Sequence, residues 1–528
     1  MVEKNNLNHS SSHLKNDTYK QAAFISILIL CTFILRFVNL GYSNYQADEI
    51  KAMFVKENDQ SSLEFLFNQR KGPGQFLVSR AVQIINPDYG NQFLSRLPFA
   101  FTSFLSVILF FLLVRNLFND PVAFFSTMFF ATNGIIVGLS RVVQYQALVF
   151  FFTTLTLASL VFAIKKQKFH IWGLYIGLIS WSLALLSHYD GIFIAPMVLY
   201  LLYRWIKEST LKPKYSHLII SSAISISLVA VFYIPYIFSI SQSNLSYFVS
   251  RIQALSLEQK SGSIIIFNSY QPIFVFYLYF GLAVAGFIAI GLSALKLMGL
   301  RAENTKIISG FLSLDNLKTS FIIVLWFLFP FVILEVIADD PGTHIYNYLI
   351  PLFILMGIGL WSILTLINSF MRPNSSRVLY FAGISFIFFL LFSQSYAIFV
   401  DHRREYPWES EKYLFWDIGI PYEIRLPLFG FPYYRNWEGI SQHLADQPER
   451  MRYLSNEKKE ISSYYLPDQR GMKKYMYIIY IRSPQGRIED MVPEFSILFK
   501  NEDPIYTYKK NGQIYSAVFQ IPRNYFEK

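Results

Sequence analysis

Long apolar segments separated by short polar ones fill the first 400 residues of the chain. A helix that crosses the hydrocarbon core of a bilayer needs about 20 mostly apolar residues. About eleven segments meet this requirement, near residues 20–40, 96–114, 121–139, 144–164, 170–187, 191–206, 216–240, 271–297, 319–337, 345–369 and 378–400. The pattern predicts an all-α polytopic membrane domain over residues 20–400, preceded by a polar tail at 1–19.

The connection at residues 41–95 is long and mixes turns with apolar positions. A Gly-Pro-Gly turn lies at 72–74, and apolar residues such as Leu63 and Leu66 recur at helical spacing. Short amphipathic helices that lie at a membrane interface show this combination. We therefore expect short helices in this loop.

The pattern changes near residue 401. Apolar runs at 475–481, 495–500 and 514–521 are typical of strands. Asn511 and Gly512 lie between the last two runs, and Asn-Gly is favoured in two-residue hairpin turns. We therefore expect the last two runs to pair, and we predict that residues 401–528 form a small C-terminal α/β domain.

Composition and charge agree with a membrane protein. Hydrophobic residues make up 53% of the chain and charged residues 15%, whereas a soluble domain carries about 25% charged residues. The net charge of +11 does not indicate a nucleic-acid partner, because residues 401–528 hold 19 Lys and Arg against 18 Asp and Glu. The single cysteine, Cys31, excludes a disulfide within the chain.

The excess positive charge lies in short segments between the apolar ones and predicts the orientation. Basic residues are enriched in cytoplasmic loops. If the N-terminal tail is cytoplasmic, every basic cluster falls on that side and residues 401–528 lie outside the cytoplasm. The clusters are Lys165, Lys166 and Lys168, then Lys212 and Lys214, Arg301 and Lys306, and Arg372 and Arg377. We expect a multi-pass protein of a prokaryotic cytoplasmic membrane.

The most informative polar motif is Asp48-Glu49, which follows the first apolar segment. By itself, an acidic pair is ordinary at a helix N-terminus. Its context resembles the start of the GT-C glycosyltransferases, and in particular the protein O-mannosyltransferase and aminoarabinose transferase group. The motifs that carry this resemblance over about residues 1–400 are 35–41 with Ala47-Asp48-Glu49, then 71–75, 95–99, 140–145, 187–191 with Pro196, and 344–348 with Pro351.

The resemblance implies the GT-C fold and a sugar transfer from a polyprenyl-phosphate-linked donor to a protein, lipid or cell-surface glycan. In this comparison Asp48 is the catalytic base, and Glu49 orients it or binds substrate. The residues that match substrate-binding positions are Arg141, Gln144, Tyr145, His188, Tyr189, His344, Tyr346 and Tyr348. Two departures concern substrate contacts, because the turn at 71–75 lacks the family's histidine and residue 188 is His where Lys is frequent.

No cofactor is indicated, and we expect no metal ligands among the site residues. Cys-x-x-Cys does not occur in the sequence, and its one His-x-x-x-His spacing, a form that zinc sites use, is His9 with His13 in the polar tail. Asp48 and Glu49 are adjacent, and adjacent side chains of a helix point about 100° apart. The carboxylates of Asp339 and Asp340 are expected on the same side of the membrane, so a divalent cation stays possible.

Two other functions remain open from the residues alone. One is an oligosaccharyltransferase, or a polymerase or ligase of surface glycans, although the Trp-Trp-Asp signature of oligosaccharyltransferases does not occur. The other is a lipid or solute transporter, a class that often shows internal repeats and ionisable residues near mid-membrane. The aromatic segment 430–437 contains one arginine and suggests either a glycan contact or a turn that docks the C-terminal domain onto the bilayer surface.

Overall fold

The structure, a computed structural model, describes residues 23, 25–57, 59–166, 170–240, 242, 244–246, 276–298, 314–338, 342–370, 373–403, 405–408, 412–413, 416–417, 430–447, 452–466, 475–485 and 492–522. The predicted tail at 1–19 lies outside the described residues. So do Lys168, Arg301, Lys306, Asp339 and Asp340.

Long helices dominate the described part of residues 20–400. Eight are long and apolar enough to cross a membrane, or nine if one bent pair is counted as a span. Each predicted span contains at least one helix, which confirms the polytopic all-α domain. The helices are Ile25–Phe37, Gln92–Leu117, Asp120–Thr132, Gly134–Ser140, Tyr145–Lys165, His170–Ser187, Ala195–Glu208, Lys214–Ser239, Phe276–Leu297, Leu314–Val332, Tyr346–Phe370 and Pro373–Phe399, with shorter turns at Tyr189–Ile194, Ile333–Ile337 and Gly342–Ile345.

The predicted span at 121–139 is broken into two helices that meet at an angle of 60°. Asn133 lies at the break, with extended backbone angles of φ −62° and ψ 129°. Its side-chain oxygen accepts a hydrogen bond of 3.2 Å from the N–H of Ile136. An asparagine in this position satisfies an N–H group at the start of a helix, which compensates for the interrupted chain of backbone bonds.

Two glycines allow the helices Tyr145–Lys165 and His170–Ser187 to pack backbone against side chain. A Cβ atom on Gly173 would lie 2.6 Å from the carbonyl oxygen of Ser159, and one on Gly177 would lie 2.8 Å from Leu160 Cγ. Small residues four positions apart permit this close approach between membrane helices. The second helix thereby ends, at residue 187, close to the first residues of its neighbour.

The loop at 41–95 forms the expected short helices, Ala47–Ile50, Ser62–Phe67 and Gly74–Val82. Its apolar residues are divided between interior and surface. Phe54, Phe65 and Phe76 pack together and are buried, whereas 65% of Leu63 is exposed. The loop is therefore a compact structure with its own small core.

The C-terminal segment contains the predicted small sheet of four strands. The strands are Arg452–Ser455, Tyr475–Ile481, Tyr506–Lys510 and Gln513–Pro522, and a two-stranded pair joins Lys412–Tyr413 to Trp416–Asp417. Arg452–Ser455 pairs in parallel with Tyr475–Ile481. Gln513–Pro522 pairs antiparallel with the other side of Tyr475–Ile481, and Tyr506–Lys510 pairs antiparallel with Gln513–Pro522 at the edge of the sheet. Helices Trp437–Ala445, Lys459–Tyr465 and Val492–Asn501 pack around it.

One predicted strand is wrong, because residues 495–500 lie in the helix Val492–Asn501. Phe495 and Leu498 are buried against Phe519 of the sheet. Their spacing of three residues places them on one helical face. The hairpin itself is present, since Asn511 and Gly512 have the positive φ values of 50° and 76° that such a turn needs, but the partner strand is Tyr506–Lys510.

The other face of the sheet shares a core with the loop at 41–95. Tyr477, Ile479 and Val518 belong to one buried cluster with Tyr45 and Met53. A hydrogen bond also joins the two segments, since the backbone N–H of Ala47 donates to Gln485 Oε1 at 3.3 Å. The loop and the C-terminal segment therefore fold against each other.

The aromatic segment 430–437 lies inside this contact. Phe431, Tyr433 and Trp437 are fully buried, and Arg435 is 1% exposed. The guanidinium of Arg435 forms an ion pair of 2.7 Å with buried Glu405. These aromatic residues are therefore not available to a glycan, and the segment docks the C-terminal domain onto the loop.

Candidate active site

The predicted catalytic pair divides into one exposed and one buried carboxylate. Asp48 is exposed, whereas Glu49 is fully buried. Arg96 donates to both oxygens of Glu49 at 2.8 Å, and the backbone N–H groups of Gln46 and Val143 each donate to it at 3.0 Å. The adjacent side chains diverge because consecutive helical positions are about 100° apart. Asp48 is thus available to a ligand, while Glu49 is occupied by protein donors.

Arg96 is a residue of this region that sequence reasoning did not include among the site residues. Besides binding Glu49, its guanidinium donates to the carbonyl oxygens of Leu40, Ser43 and Asn44 at 3.0–3.1 Å. It therefore fixes the chain that leads into the Asp48 helix. An arginine at the start of an apolar span was the available signal, but its acidic partner is 47 residues away in the sequence.

A second buried carboxylate, Asp190, lies between two histidines. Its Oδ2 accepts hydrogen bonds from the Tyr346 hydroxyl and from Asn347 Nδ2, and it lies 2.8 Å from His344 Nδ1. Its Oδ1 lies 2.9 Å from His188 Nδ1. Asp190 was not predicted as a site residue, although it stands in the 187–191 motif.

The histidines belong to a group of stacked rings. The ring of His188 lies 3.8 Å, centroid to centroid, from the rings of both Tyr145 and Tyr189. The His344 ring lies 5.3 Å from His188 and 6.1 Å from Tyr189. Gln144 is buried at the position before the helix that Tyr145 begins. The structure therefore brings together five predicted residues, namely Tyr145, His188, Tyr189, His344 and Tyr346.

Burial and neighbouring groups determine the charges in this cluster. Burial lowers the pKa of His188 to about 4, so this imidazole is neutral near pH 7. Burial alone would raise the pKa of Asp190, but His188 and His344 beside it hold that pKa well below its usual value. The cluster therefore contains a buried anion and a neutral imidazole at neutral pH.

Lys71 lies between the Asp48 helix and this cluster, and it too was missed as a site residue. Its Nζ is 4.8 Å from the centre of the Tyr145 ring. Burial lowers the pKa of Lys71, while the carboxylates of Asp48 and Asp190 both act to raise it. The charge of Lys71 is therefore influenced by acids of both regions.

The position of Lys71 follows from the two glycines of its motif. A Cβ atom on Gly72 would lie 2.1 Å from the carbonyl oxygen of Leu186, and one on Gly74 would lie 2.8 Å from Ser187 Oγ. Any larger residue would push the turn away from the end of the His170–Ser187 helix. The Gly-Pro-Gly sequence, predicted as a turn, therefore brings Lys71 next to the residue-188 region.

Two predicted site residues point elsewhere. The guanidinium of Arg141 donates to the carbonyl oxygens of Leu35 and Val38 at 2.9 Å, at the end of the first helix. A cation at this position satisfies carbonyl groups that the helix leaves unpaired. The hydroxyl of Tyr348 donates to Glu335 Oε1 at 2.8 Å. The structure does not bring these two side chains into the ring cluster.

Among the described residues, three of the cluster have the donor atoms of a metal site. His188, Asp190 and His344 each offer one ligand atom, and these atoms all lie within 4.8 Å of one another. Short histidine spacings in the sequence do not indicate this group, because His344 is 154 residues from Asp190.

Residues 74–234 of the chain match the family model of the dolichyl-phosphate-mannose-protein mannosyltransferases. The matched part includes Arg96, Tyr145, His188 and Asp190, while Asp48 precedes it. No curated protein sequence matches the chain.

Solved structures of three membrane proteins were found to be similar. ArnT from Cupriavidus metallidurans, bound to undecaprenyl phosphate, is 12% identical with a TM-score of 0.49, over 94% of this chain and 98% of ArnT. The Pmt1-Pmt2 protein O-mannosyltransferase complex of S. cerevisiae, bound to the sugar donor, is 18% identical with a TM-score of 0.29, over 46% and 35%. The Archaeoglobus fulgidus oligosaccharyltransferase is 12% identical with a TM-score of 0.46, over 89% and 61%.

The family model and the motifs agree on the kind of protein. The matched residues 74–234 contain three of the motifs quoted from the sequence, 95–99, 140–145 and 187–191 with Pro196. The match supports a transferase. The predicted resemblance to the protein O-mannosyltransferase group of the GT-C glycosyltransferases is therefore confirmed over residues 74–234.

Proposed function

We propose that this protein is an inverting glycosyltransferase that moves a monosaccharide from a polyprenyl-phosphate carrier to a protein, lipid or glycan acceptor on the outer face of the membrane. The observation that carries the proposal is the arrangement of Asp48 and Lys71. The exposed carboxylate of Asp48 acts on the charge of Lys71, and Lys71 lies over the ring of Tyr145, in a cluster of rings at the ends of membrane helices. The family match over residues 74–234 supports the reaction class.

In this proposal Asp48 is the general base. The acceptor hydroxyl gives its proton to the Asp48 carboxylate while its oxygen forms a bond to the anomeric carbon. The bond from that carbon to the phosphate oxygen breaks, and the polyprenyl phosphate leaves with the electron pair. One displacement inverts the anomeric centre. A positioned base contributes about 10²–10⁴-fold to the rate of such a step.

Lys71 is proposed to bind the phosphate group that leaves. Negative charge develops on this group, and a fixed cation in a site with little water stabilises it in the transition state. The partly exposed rings of Tyr189 and His344 belong to the same ring cluster as Tyr145 and offer faces to the sugar. Lys71 is thus added to the substrate-binding residues, among which the sequence comparison had placed Arg141 and His188.

Glu49 and Arg96 are proposed to position Asp48 without touching substrate. Their ion pair is buried on both sides, with side-chain exposures of 0% and 3%. Because the pair also holds backbone groups between residues 40 and 46, just before the helix, it fixes the direction of the Asp48 side chain. Glu49 is therefore a positioning residue rather than a second base.

We further propose that residues 20–400 are the catalytic membrane domain and residues 401–528 an extracytoplasmic domain, in a prokaryotic cytoplasmic membrane with the N-terminus inside. The shared core of the sheet and the loop at 41–95 supports one part of this topology. Two segments that fold against each other lie on the same side of the membrane. In this proposal, the Asp48 loop and the C-terminal domain lie together on the outer face.

The test compares Asp48→Asn with Asp59→Asn, a change of an exposed acid in the same loop. Each purified protein receives a panel of labelled polyprenyl-phosphate sugars and a membrane extract as the source of acceptor, and loss of donor and glycosylated product are followed. We expect one donor to be used by the wild type and by Asp59→Asn, with a loss of about 10²–10⁴-fold in Asp48→Asn.

Other results would contradict specific parts of the proposal. If the wild type uses none of the monosaccharide donors, the proposed donor class is wrong. If Asp48→Asn is as active as the wild type, sugar transfer stands and Asp48 is not the base. A product that retains the anomeric configuration of the donor would exclude the single displacement.

A further inference from the structure

We propose that His188, Asp190 and His344 form a binding site for a divalent transition-metal ion, with Zn²⁺ as the best match. The proposal concerns metal binding alone and does not rest on the proposed sugar transfer. No step of that reaction passes through this site.

The positions of the three side chains fit one ion. Zinc lies about 2.0–2.2 Å from histidine nitrogens and carboxylate oxygens, so that two of its ligands are at most about 4.4 Å apart. The donor atoms of His188, Asp190 and His344 all lie within 4.8 Å of one another. His188 and Asp190 are 2% and 0% exposed at their side chains, and His344 is 25% exposed. Small side-chain rotations therefore bring all three to an ion that is reachable from one side.

An unpartnered oxygen supplies an independent indication. Asp190 Oδ1 is buried and has no hydrogen-bond donor among the described residues, although His188 Nδ1 is only 2.9 Å away. That nitrogen accepts a hydrogen bond of 3.2 Å from the backbone N–H of Asp190. With Nδ1 acting as an acceptor, no proton lies between it and Asp190 Oδ1, and a buried acceptor without a donor costs about 1–3 kcal/mol. A cation beside Oδ1 would take the place of the missing donor.

The chemistry of the donors selects the class of metal. Imidazole nitrogens suit zinc and other late transition metals, whereas Mg²⁺ and Ca²⁺ prefer oxygen ligands. Three protein ligands leave one position of a tetrahedral ion open, as in zinc sites that bind water or a ligand. We expect the open position to take water or the oxygen of an anion.

The groups around the ligands are those that a metal site requires. Oδ2 of Asp190 accepts from the Tyr346 hydroxyl and from Asn347 Nδ2 at 3.1 Å, which fixes the carboxylate. The stacked ring of Tyr145 fixes the plane of His188. Such outer partners hold the ligands in place, and their loss typically weakens metal binding by about 10–100-fold.

The experiment uses the full-length protein in detergent, purified through a tag that contains no histidine and stripped of metal with a chelator. Zinc is then titrated in competition with a chromogenic chelator, and the bound metal is counted by elemental analysis. We expect one zinc ion per chain in the wild type. His344→Ala and Asp190→Asn should weaken binding by more than about 100-fold, because loss of a ligand exceeds the loss of an outer partner.

His402→Ala is the matched control, since His402 is an exposed histidine outside the cluster, hydrogen-bonded to Asn39. It should bind zinc as the wild type does. Co²⁺ in place of zinc should give the strong visible absorption of a four-coordinate ion in the wild type and in His402→Ala, and not in His344→Ala. Asn347→Ala should weaken zinc binding by about 10–100-fold.

Two results would overturn the proposal. One is the absence of stoichiometric zinc binding in the wild type, and the other is equal binding by the wild type and His344→Ala. If Asp190→Asn does not fold, His344→Ala still tests the metal site, because the side chain of His344 is partly exposed. Donor turnover measured in the same preparations separates the two proposals, since a protein that binds no zinc and still transfers sugar refutes only the metal site.

Discussion

Glu49 and Asp190 are both buried carboxylates of the candidate active site, and their surroundings differ. Each oxygen of Glu49 accepts two hydrogen bonds, one from Arg96 and one from the backbone. In Asp190, the donors gather at Oδ2, and Oδ1 has none among the described residues. One carboxylate has a complete set of donors, and the other has an incomplete one.

This difference separates a structural acid from one that is available to a ligand. A buried ion pair with well-placed hydrogen bonds fixes one arrangement of the chain, and little is gained by adding a further group. A buried acceptor without a donor keeps an unfavourable desolvation energy that a proton or a cation can relieve. We infer that Glu49 maintains the position of Asp48, while Asp190 is where a further ligand would bind.

The largest expected effect on stability belongs to Glu49. Glu49→Gln keeps the size of the side chain and removes its charge, so Arg96 remains buried without a counter-ion. Removal of one partner of a buried ion pair typically destabilises a protein by about 3–5 kcal/mol. We expect a loss of this size in the free energy of unfolding, measured by denaturant titration in detergent.

The control for Glu49 is Glu57→Gln, at an exposed acid of the same loop. Surface substitutions away from special features change stability by less than about 0.5 kcal/mol. A change in Glu49→Gln that is as small as in the control would show that Arg96 does not depend on Glu49, and the first half of the comparison would fail.

Lys71 is expected to give the next largest effect, on activity. Asp48 and Asp190 both act on the charge of Lys71, so Lys71→Met removes a cation that interacts with both carboxylates and keeps a flexible stem. Loss of one group that stabilises developing charge typically lowers kcat by about 10²–10³-fold. We expect a decrease of this size in donor turnover, without loss of stability, since burial disfavours the charge of Lys71.

Lys56→Met, at an exposed lysine of the same loop, is the matched control and should retain full turnover. Equal activity of Lys71→Met and Lys56→Met would remove Lys71 from the phosphate site. A decrease caused only by a higher KM for the donor would indicate that Lys71 binds the substrate and the transition state equally well.

Long apolar segments of the sequence predicted the membrane helices correctly, whereas one short apolar run was assigned to the wrong kind of element. Each apolar segment near the length of a bilayer span corresponds to at least one helix, because long apolar runs have few alternatives. The run 495–500 was assigned to a strand, since six apolar-rich residues do not distinguish a strand from a buried helix. The helix is favoured because it brings Phe495 and Leu498 onto one face, where both pack against the sheet.

The site was predicted in part for a different reason. The order of motifs pointed to His188, His344 and Tyr346, and these side chains do meet. The hydrogen-bond partners of the site residues could not be predicted, because they come from segments that are distant in the sequence. Arg141 was expected to face substrate, but it binds the carbonyl groups that end a helix 103 to 106 residues earlier. Asp190 was overlooked because its importance arises only from neighbours that the fold brings to it.

The smallest expected effect on stability belongs to Asp190→Asn. In the metal-free protein, Asp190→Asn places an amide N–H group where Oδ1 faces His188 Nδ1 at 2.9 Å, and the amide oxygen continues to accept from Tyr346 and Asn347. The new hydrogen bond contributes about 0.5–1.5 kcal/mol and offsets the lost charge. We expect the free energy of unfolding to change by less than about 1.5 kcal/mol, far less than for Glu49→Gln.

Asp190→Ala, which leaves all these donors without an acceptor, should be clearly less stable. If Asp190→Asn is instead as unstable as Glu49→Gln, Asp190 is a fixed structural anion, and the two carboxylates have the same role.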